Sequence, residues 1–142
     1  LTWPVSFEQR LASWHRLRAQ ACNLPVEAAL DAINSWWQLA PWRAYHLHWD
    51  DQPTWPDPWQ LLSDNIYCDI AKGLGIMYTI TLLDREDLQD ACMVDSSLGN
   101  LVLICQGKYI LNWGTDIGVN TNLEQTNFPH QVSQSDLKQQ LE

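Results

Sequence analysis

Leu101-Val102-Leu103-Ile104-Cys105, then Gln106-Gly107-Lys108, then Tyr109-Ile110-Leu111-Asn112-Trp113: two apolar runs enclose a short polar segment with glycine at its centre. Such runs suit a pleated backbone, and glycine tolerates the positive φ that a tight turn needs, so the stretch predicts a β-hairpin. Upstream, residues 76–83 hold Ile76, Tyr78, Thr79, Ile80 and Thr81 and predict a buried strand, followed by a polar connection over 84–90. Before it, Tyr67, Cys68, Ile70, Ala71 and Leu74 predict a helix from about residue 65 or 66 to 74, with Gly75 placed to end it. Downstream, Ile117 and Val119 predict a further short strand.

The N-terminal part has a different period. Ser6 and Gln9 form a capping-box pattern, and Phe7, Leu11, Trp14, Leu17 and Ala21 follow at helical spacing, with Arg10 and Arg16 assigned to the opposite face. After a break at Cys22-Asn23-Leu24, Pro25 takes a first helical position. Val26, Ala29, Leu30, Ile33, Trp36, Trp37 and Ala40 then line one side until Pro41 stops the helix. From Trp42 the pattern alternates, with Tyr45, Leu47 and Trp49 against Ala44, His46 and His48, which predicts a strand. Pro53, Pro56 and Pro58 make residues 50–59 a stiff, acidic, aromatic loop, and Trp59, Leu61 and Leu62 suggest a turn or two of helix.

The expectation is an α+β fold: an N-terminal αα-hairpin over 6–40, followed by a Cys-bearing helix packed on a small antiparallel sheet over 42–120. Residues 1–120 form one domain. Residues 121–142, rich in Asn, Gln, Ser and Thr, form a polar C-terminal extension that orders only against a partner. A chain of 142 residues buries about 70% of its unfolded surface, enough for a core without disulfides or a structural metal.

Composition narrows the function. Seventeen acidic against eight basic side chains give a net charge of −9, and non-specific phosphate binding needs the reverse, so nucleic acid is not an expected partner. No apolar run reaches membrane-spanning length, and Glu8, Arg10, Arg16 and Arg18 interrupt the beginning of the chain, so neither a membrane span nor a signal peptide is expected. Residues 1–43 are near neutral and the remainder strongly acidic, a division that suits docking on a basic partner or simply a solvated surface.

Catalytic signals are sparse. The four cysteines include no Cys-x-x-Cys pair, and Cys22, Cys92 and Cys105 read as small core hydrophobes. Cys68 differs, because the start of a helix favours a thiolate, although Asp69 opposes it. His46 and His48 could supply two metal ligands from one strand face, but two ligands are not a site. No phosphate loop or nucleophile elbow is present, and no cofactor is expected. Of the nine tryptophans, Trp36, Trp37 and Trp42 are assigned to the core. Trp55, between Pro53 and Pro56, is assigned as an exposed anchor, with Asp57 and Trp59 beside it in the same docking loop. Leu123, Phe128 and Leu137 are the tail residues expected to bury against a neighbour.

Tyr67-Cys68 at the head of a helix, followed by the 101–113 hairpin, resembles the core of transglutaminase-like and papain-like folds. The resemblance implies Cys68 as nucleophile and Asn112 as the group that orients a histidine, but no histidine lies between His48 and His130 to serve as base. It therefore implies a scaffold without its chemistry, and no catalytic residue is expected. The phrases Trp55-Pro56-Asp57-Pro58-Trp59-Gln60-Leu61-Leu62, Leu74-Gly75-Ile76-Met77-Tyr78-Thr79-Ile80 and Lys108-Tyr109-Ile110-Leu111-Asn112-Trp113 also resemble those of small proteins of contractile-tailed bacteriophages, notably cyanophages. That likeness spans about residues 26–123 and implies a virion protein of the neck, tail or baseplate, assembled in the host cytoplasm with other virion proteins as partners. Two alternatives stay open: a cysteine-nucleophile amide hydrolase or transglutaminase-like enzyme using Cys68, and a small host-protein binding module using the Trp55 loop.

Overall fold

The computed structural model describes residues 2–119 and 128–141. The fold is α+β. Its first two helices are α1 (Phe7–Ala21) and α2 (Val26–Gln38). Ser6 caps α1 through a complete capping box: its hydroxyl accepts from Gln9 N, and the Gln9 side chain accepts from Ser6 N. Trp14, Leu17 and Ala21 face the core from α1, while Ala29, Leu30, Ile33 and Trp37 do so from α2. Pro25 is the N-cap of α2 and not its first helical residue. Arg10 departs from its assignment to the outer face: it is buried, because its guanidinium donates to the carbonyls of Leu62, Val5 and Pro4. The bond to Leu62 O pairs a carbonyl in the last turn of the helix that ends at Asp64.

Residues 42–49 are not a strand. Apart from one parallel bridge between Trp42 and Tyr67, the segment is irregular, with Tyr45 in the left-handed region at φ 57°. It leads into a 3-10 helix (Trp49–Thr54) kinked at Asp51, so the proline-rich loop is a folded turn. Helix α3 (Pro58–Asp64) follows, capped by Asp57 accepting from Gln60 N.

The largest difference from the sequence reading lies in α4 (Asp69–Leu83), a single helix that runs straight through Gly75 and includes the residues expected as a strand. Nearly all of its residues are buried. A helix apolar on every side has lost the 3.6-residue signal, so its β-branched content reads as strand. Helices α1, α2 and α3 contact it, as do the sheet and the C-terminal helix, which makes α4 the central element. Its two glycines allow this close approach: a methyl at Gly75 would lie 2.5 Å from the Trp37 ring, and one at Gly73 would lie 2.5 Å from Met93 Sδ.

The sheet contains β1 (Cys92–Ser96), β2 (Gly99–Ile104), β3 (Tyr109–Leu111), β4 (Gly118–Val119) and β5 (Gln131–Ser133), in the order β4-β3-β2-β1-β5. All the pairs are antiparallel. The expected hairpin is β2-β3, with β2 beginning earlier and β3 ending earlier than expected, and its turn is held by the Asp90 carboxylate, which accepts from Cys105 N and Gln106 N. Met93, Val102, Ile104, Tyr109, Leu111 and Val132 face α4; Val94, Leu101, Leu103 and Ile110 form a smaller cluster on the other face, with Phe128 against it.

Residues 131–141, expected within a polar extension, instead supply β5 and helix α5 (Gln134–Leu141). Val132 and Leu137 are fully buried. Gln134 joins this segment to the 88–91 connection by accepting from Ala91 N and donating to Leu88 O. Val132 and Leu137 thus find burial on their own fold, which a count of apolar residues in the tail does not reveal. Leu123 lies outside the described residues. Among the described residues no helix is long and apolar enough to cross a membrane.

One hydroxyl connects the three helices at the centre. Thr79 Oγ1 of α4 accepts from Trp14 Nε1 and from Trp37 Nε1, each at 2.9 Å, and donates to Gly75 O at 2.7 Å. Thr79→Val keeps the shape but leaves two buried indole N–H groups unpaired, so urea denaturation should show a loss of about 2–4 kcal/mol. Thr81, whose hydroxyl donates to Met77 O of its own helix, is the control: Thr81→Val should cost less than about 1 kcal/mol.

Candidate functional site

The N-terminus of α4, the ends of β1 and β2, and the irregular 42–49 segment meet around one hollow of about 360 Å³. Arg43 N donates to Tyr67 O, which lays this segment beside the entry to α4. Cys68 is the N-cap of that helix and is only 4% exposed. Its sulfur accepts from Leu47 N at 3.3 Å and does not cap the helix. Asp69 follows, and its carboxylate accepts from Trp42 Nε1 at 3.2 Å. Across the hollow, the β1-β2 register pairs Asp95 with Asn100, and both line it.

Trp49 joins the walls. Its Nε1 donates to Asn100 Oδ1 at 2.8 Å, its edge meets Trp55 at 5.2 Å, and its face stacks on His130 at 5.7 Å. His130, which shows no motif in the sequence, has Nδ1 3.2 Å from Asp95 Oδ2 and Nε2 3.8 Å from Asp50 Oδ1. At the mouth, Trp42 is 61% exposed and Tyr45 86% exposed.

Several assignments change. Trp55, expected as an exposed anchor, is 7% exposed because the 3-10 helix folds the chain back and places it against Trp49, where Nε1 donates to His48 O. Trp42, assigned to the core, is an exposed residue of the mouth. Trp37 is fully buried, and Trp36 is half-buried with Nε1 bonded to Ser13 Oγ. Trp59 is half exposed and meets Trp14 edge-on, while Asp57 serves as a helix cap. Phe128 is half-buried on the outer sheet face, and Leu137 is core, not a free docking residue.

Cys68 lines the hollow together with His48, whereas His46 does not. With no strand over 42–49, the two histidines lose the shared face that would have made them paired ligands, and no group of three His, Cys, Asp or Glu among the described residues could hold a metal. Asn112 is a junction outside the lining. Its amide donates to Asp69 O and Asn100 O and accepts from Gln38 Nε2, and its backbone N–H donates to Asn34 Oδ1. Asn112 thereby fixes α2, α4 and β2 relative to one another. Beside it, Lys72 is buried and donates to Gln38 O, and burial lowers its pKa.

The sequence reading missed Tyr45, Asp95, Asn100 and His130. The Ser96-Ser97-Leu98-Gly99 turn carries a signal for Asp95 and Asn100, since a hairpin around it sets the two opposite each other. Nothing local marks His130, which reaches Asp95 because β5 pairs with β1. The new assignments separate by stability: Trp55→Ala should cost about 3–5 kcal/mol in chemical denaturation. Tyr45→Ala should stay within about 0.5 kcal/mol of the parent.

No family model, curated protein or solved structure matches the chain.

Proposed function

We propose that the chain is a non-enzymatic docking and assembly protein of a tailed-phage virion, a component of the neck, tail or baseplate that seats on neighbouring subunits. One observation carries the docking reading. Trp42 and Tyr45 are exposed side by side on the hollow where α4 begins, while the Cys68 thiol there is buried against Leu47 N. Large aromatic side chains presented together supply contact area for a protein partner at small entropic cost. The virion setting rests on the likeness of the 55–62, 74–80 and 108–113 phrases to those of phage proteins.

A second reading has its own observation: Cys68, at the N-terminus of α4, shares the hollow with His48. Thiol chemistry there requires an accessible, activated sulfur. The Trp55 loop carries less weight as a host-binding element, since Trp55 is used inside the fold.

Native Cys68 should react with iodoacetamide no faster than a free thiol at the same pH, as mass spectrometry of the labelled peptides would record. Rapid labelling confined to Cys68 would overturn the non-enzymatic reading in favour of the enzyme. For the virion setting, purified particles from cells producing the phage should contain the chain at a constant ratio to known structural proteins. Its absence from particles would overturn that assignment.

A further inference from the structure

The hollow beside Cys68 has a chemical bias that the docking reading does not specify. Trp42, Tyr45 and Trp49 provide aromatic surface, Asp69 and Asp95 provide two carboxylates, and neither lysine nor arginine is among the lining residues. The Trp42 indole is held at the mouth by its N–H bond to the Asp69 carboxylate. Asp95 is held by His130 at 3.2 Å and by the β1-β2 pairing, which also sets Asn100 beside it. Tyr45 is displayed at 86% exposure from a left-handed backbone, a conformation that favours glycine. By contrast, the groove between α1 and α2 carries both Arg16 and Asp31 and has no such bias.

We propose that this hollow receives an arginine side chain from a partner protein. A guanidinium is planar and weakly hydrated, stacks on aromatic faces and donates in a fork to carboxylates, which matches both chemistries of the lining. A neutral ligand would displace water from Asp69 and Asp95 and bring no charge to them, leaving the Trp42 N–H and His130 as their side-chain partners. An ammonium would meet the charge but not the flat aromatic walls. The volume of about 360 Å³ accommodates one side chain and not a folded element. A basic partner is also consistent with the net charge of −9. This inference rests on the docking reading and names the chemistry that it engages.

The test uses the whole protein and a short blocked peptide with one central arginine, followed by NMR of the indole N–H resonances. Saturable shifts at Trp42 and Trp49 are expected, with no response to the citrulline peptide, which keeps the shape and removes the charge. A lysine peptide should bind more weakly. Asp69→Asn and Tyr45→Ala should each weaken binding by about threefold or more, and Tyr45→Ala removes a side chain on which the fold does not depend. No saturable shift in the parent protein, or equal binding of the citrulline peptide, would overturn the proposal. The outcome is independent of Cys68 labelling: arginine binding together with a reactive Cys68 would retain the pocket and reject the non-enzymatic reading. An inert Cys68 with no arginine binding would do the opposite.

Discussion

Two indole N–H groups share the hydroxyl of Thr79, and the position of each helix follows from that arrangement. Trp14 from α1 and Trp37 from α2 each bring a large apolar ring with one polar atom into the interior. Burying such an atom without a partner costs more than the bond itself contributes. A threonine on the middle helix accepts both and returns its own proton to Gly75 O, so all three groups are satisfied in one place. The geometry then restricts its surroundings. Trp37 lies so close to α4 that Gly75 cannot carry a side chain without displacing a rigid ring, whereas at Gly73 the close neighbour is the more flexible Met93 side chain of the sheet. Glycine lowers helix stability by about 1 kcal/mol relative to alanine, a cost outweighed here by close packing.

Because α4 is fixed along its length, its N-terminus is a rigid place on which to build. Asn112 bonds to the first turn of α4, to β2 and to α2, so the hollow is framed by elements that cannot shift independently. The 42–49 segment closes the frame with few regular backbone bonds, relying on the Trp42–Tyr67 bridge, the Leu47 contact to Cys68 and the Trp49 bond to Asn100. The same arrangement places Cys68 where its sulfur is used as a hydrogen-bond acceptor inside the fold.

The sheet is completed from the far end of the chain. Pairing of β5 with β1 brings His130 onto Trp49 and Asp95, so the C-terminal segment supports two residues that line the hollow as well as contributing to the core. Asp136 and Ser133 bond reciprocally at the start of α5, and Gln134 supplies partners for the otherwise buried Ala91 N–H and Leu88 carbonyl. Polar residues hold this segment as much as apolar ones do, which is why a composition rich in Gln and Ser suggests an unstructured tail.

Local chemistry sufficed for the α+β class, the capping box of Ser6 and Gln9, the two N-terminal helices with their buried stripes, and the 101–113 hairpin. Each depends on neighbours within a few residues, where periodicity, caps and glycine turns act directly. Residues 76–83 could not be assigned this way, because a helix buried on all sides shows no polar face and its Ile, Tyr and Thr content mimics a strand. The apparent alternation from Trp42 to Trp49 failed for a related reason: no neighbouring strand is available to it, and isolated alternation does not make a sheet. Only tertiary structure could bury Trp55, expose Trp42 and Tyr45, assemble Asp69, Asp95 and Asn100 around one hollow and set His130 against Asp95, since these residues meet through strand pairing and helix packing between distant parts of the chain.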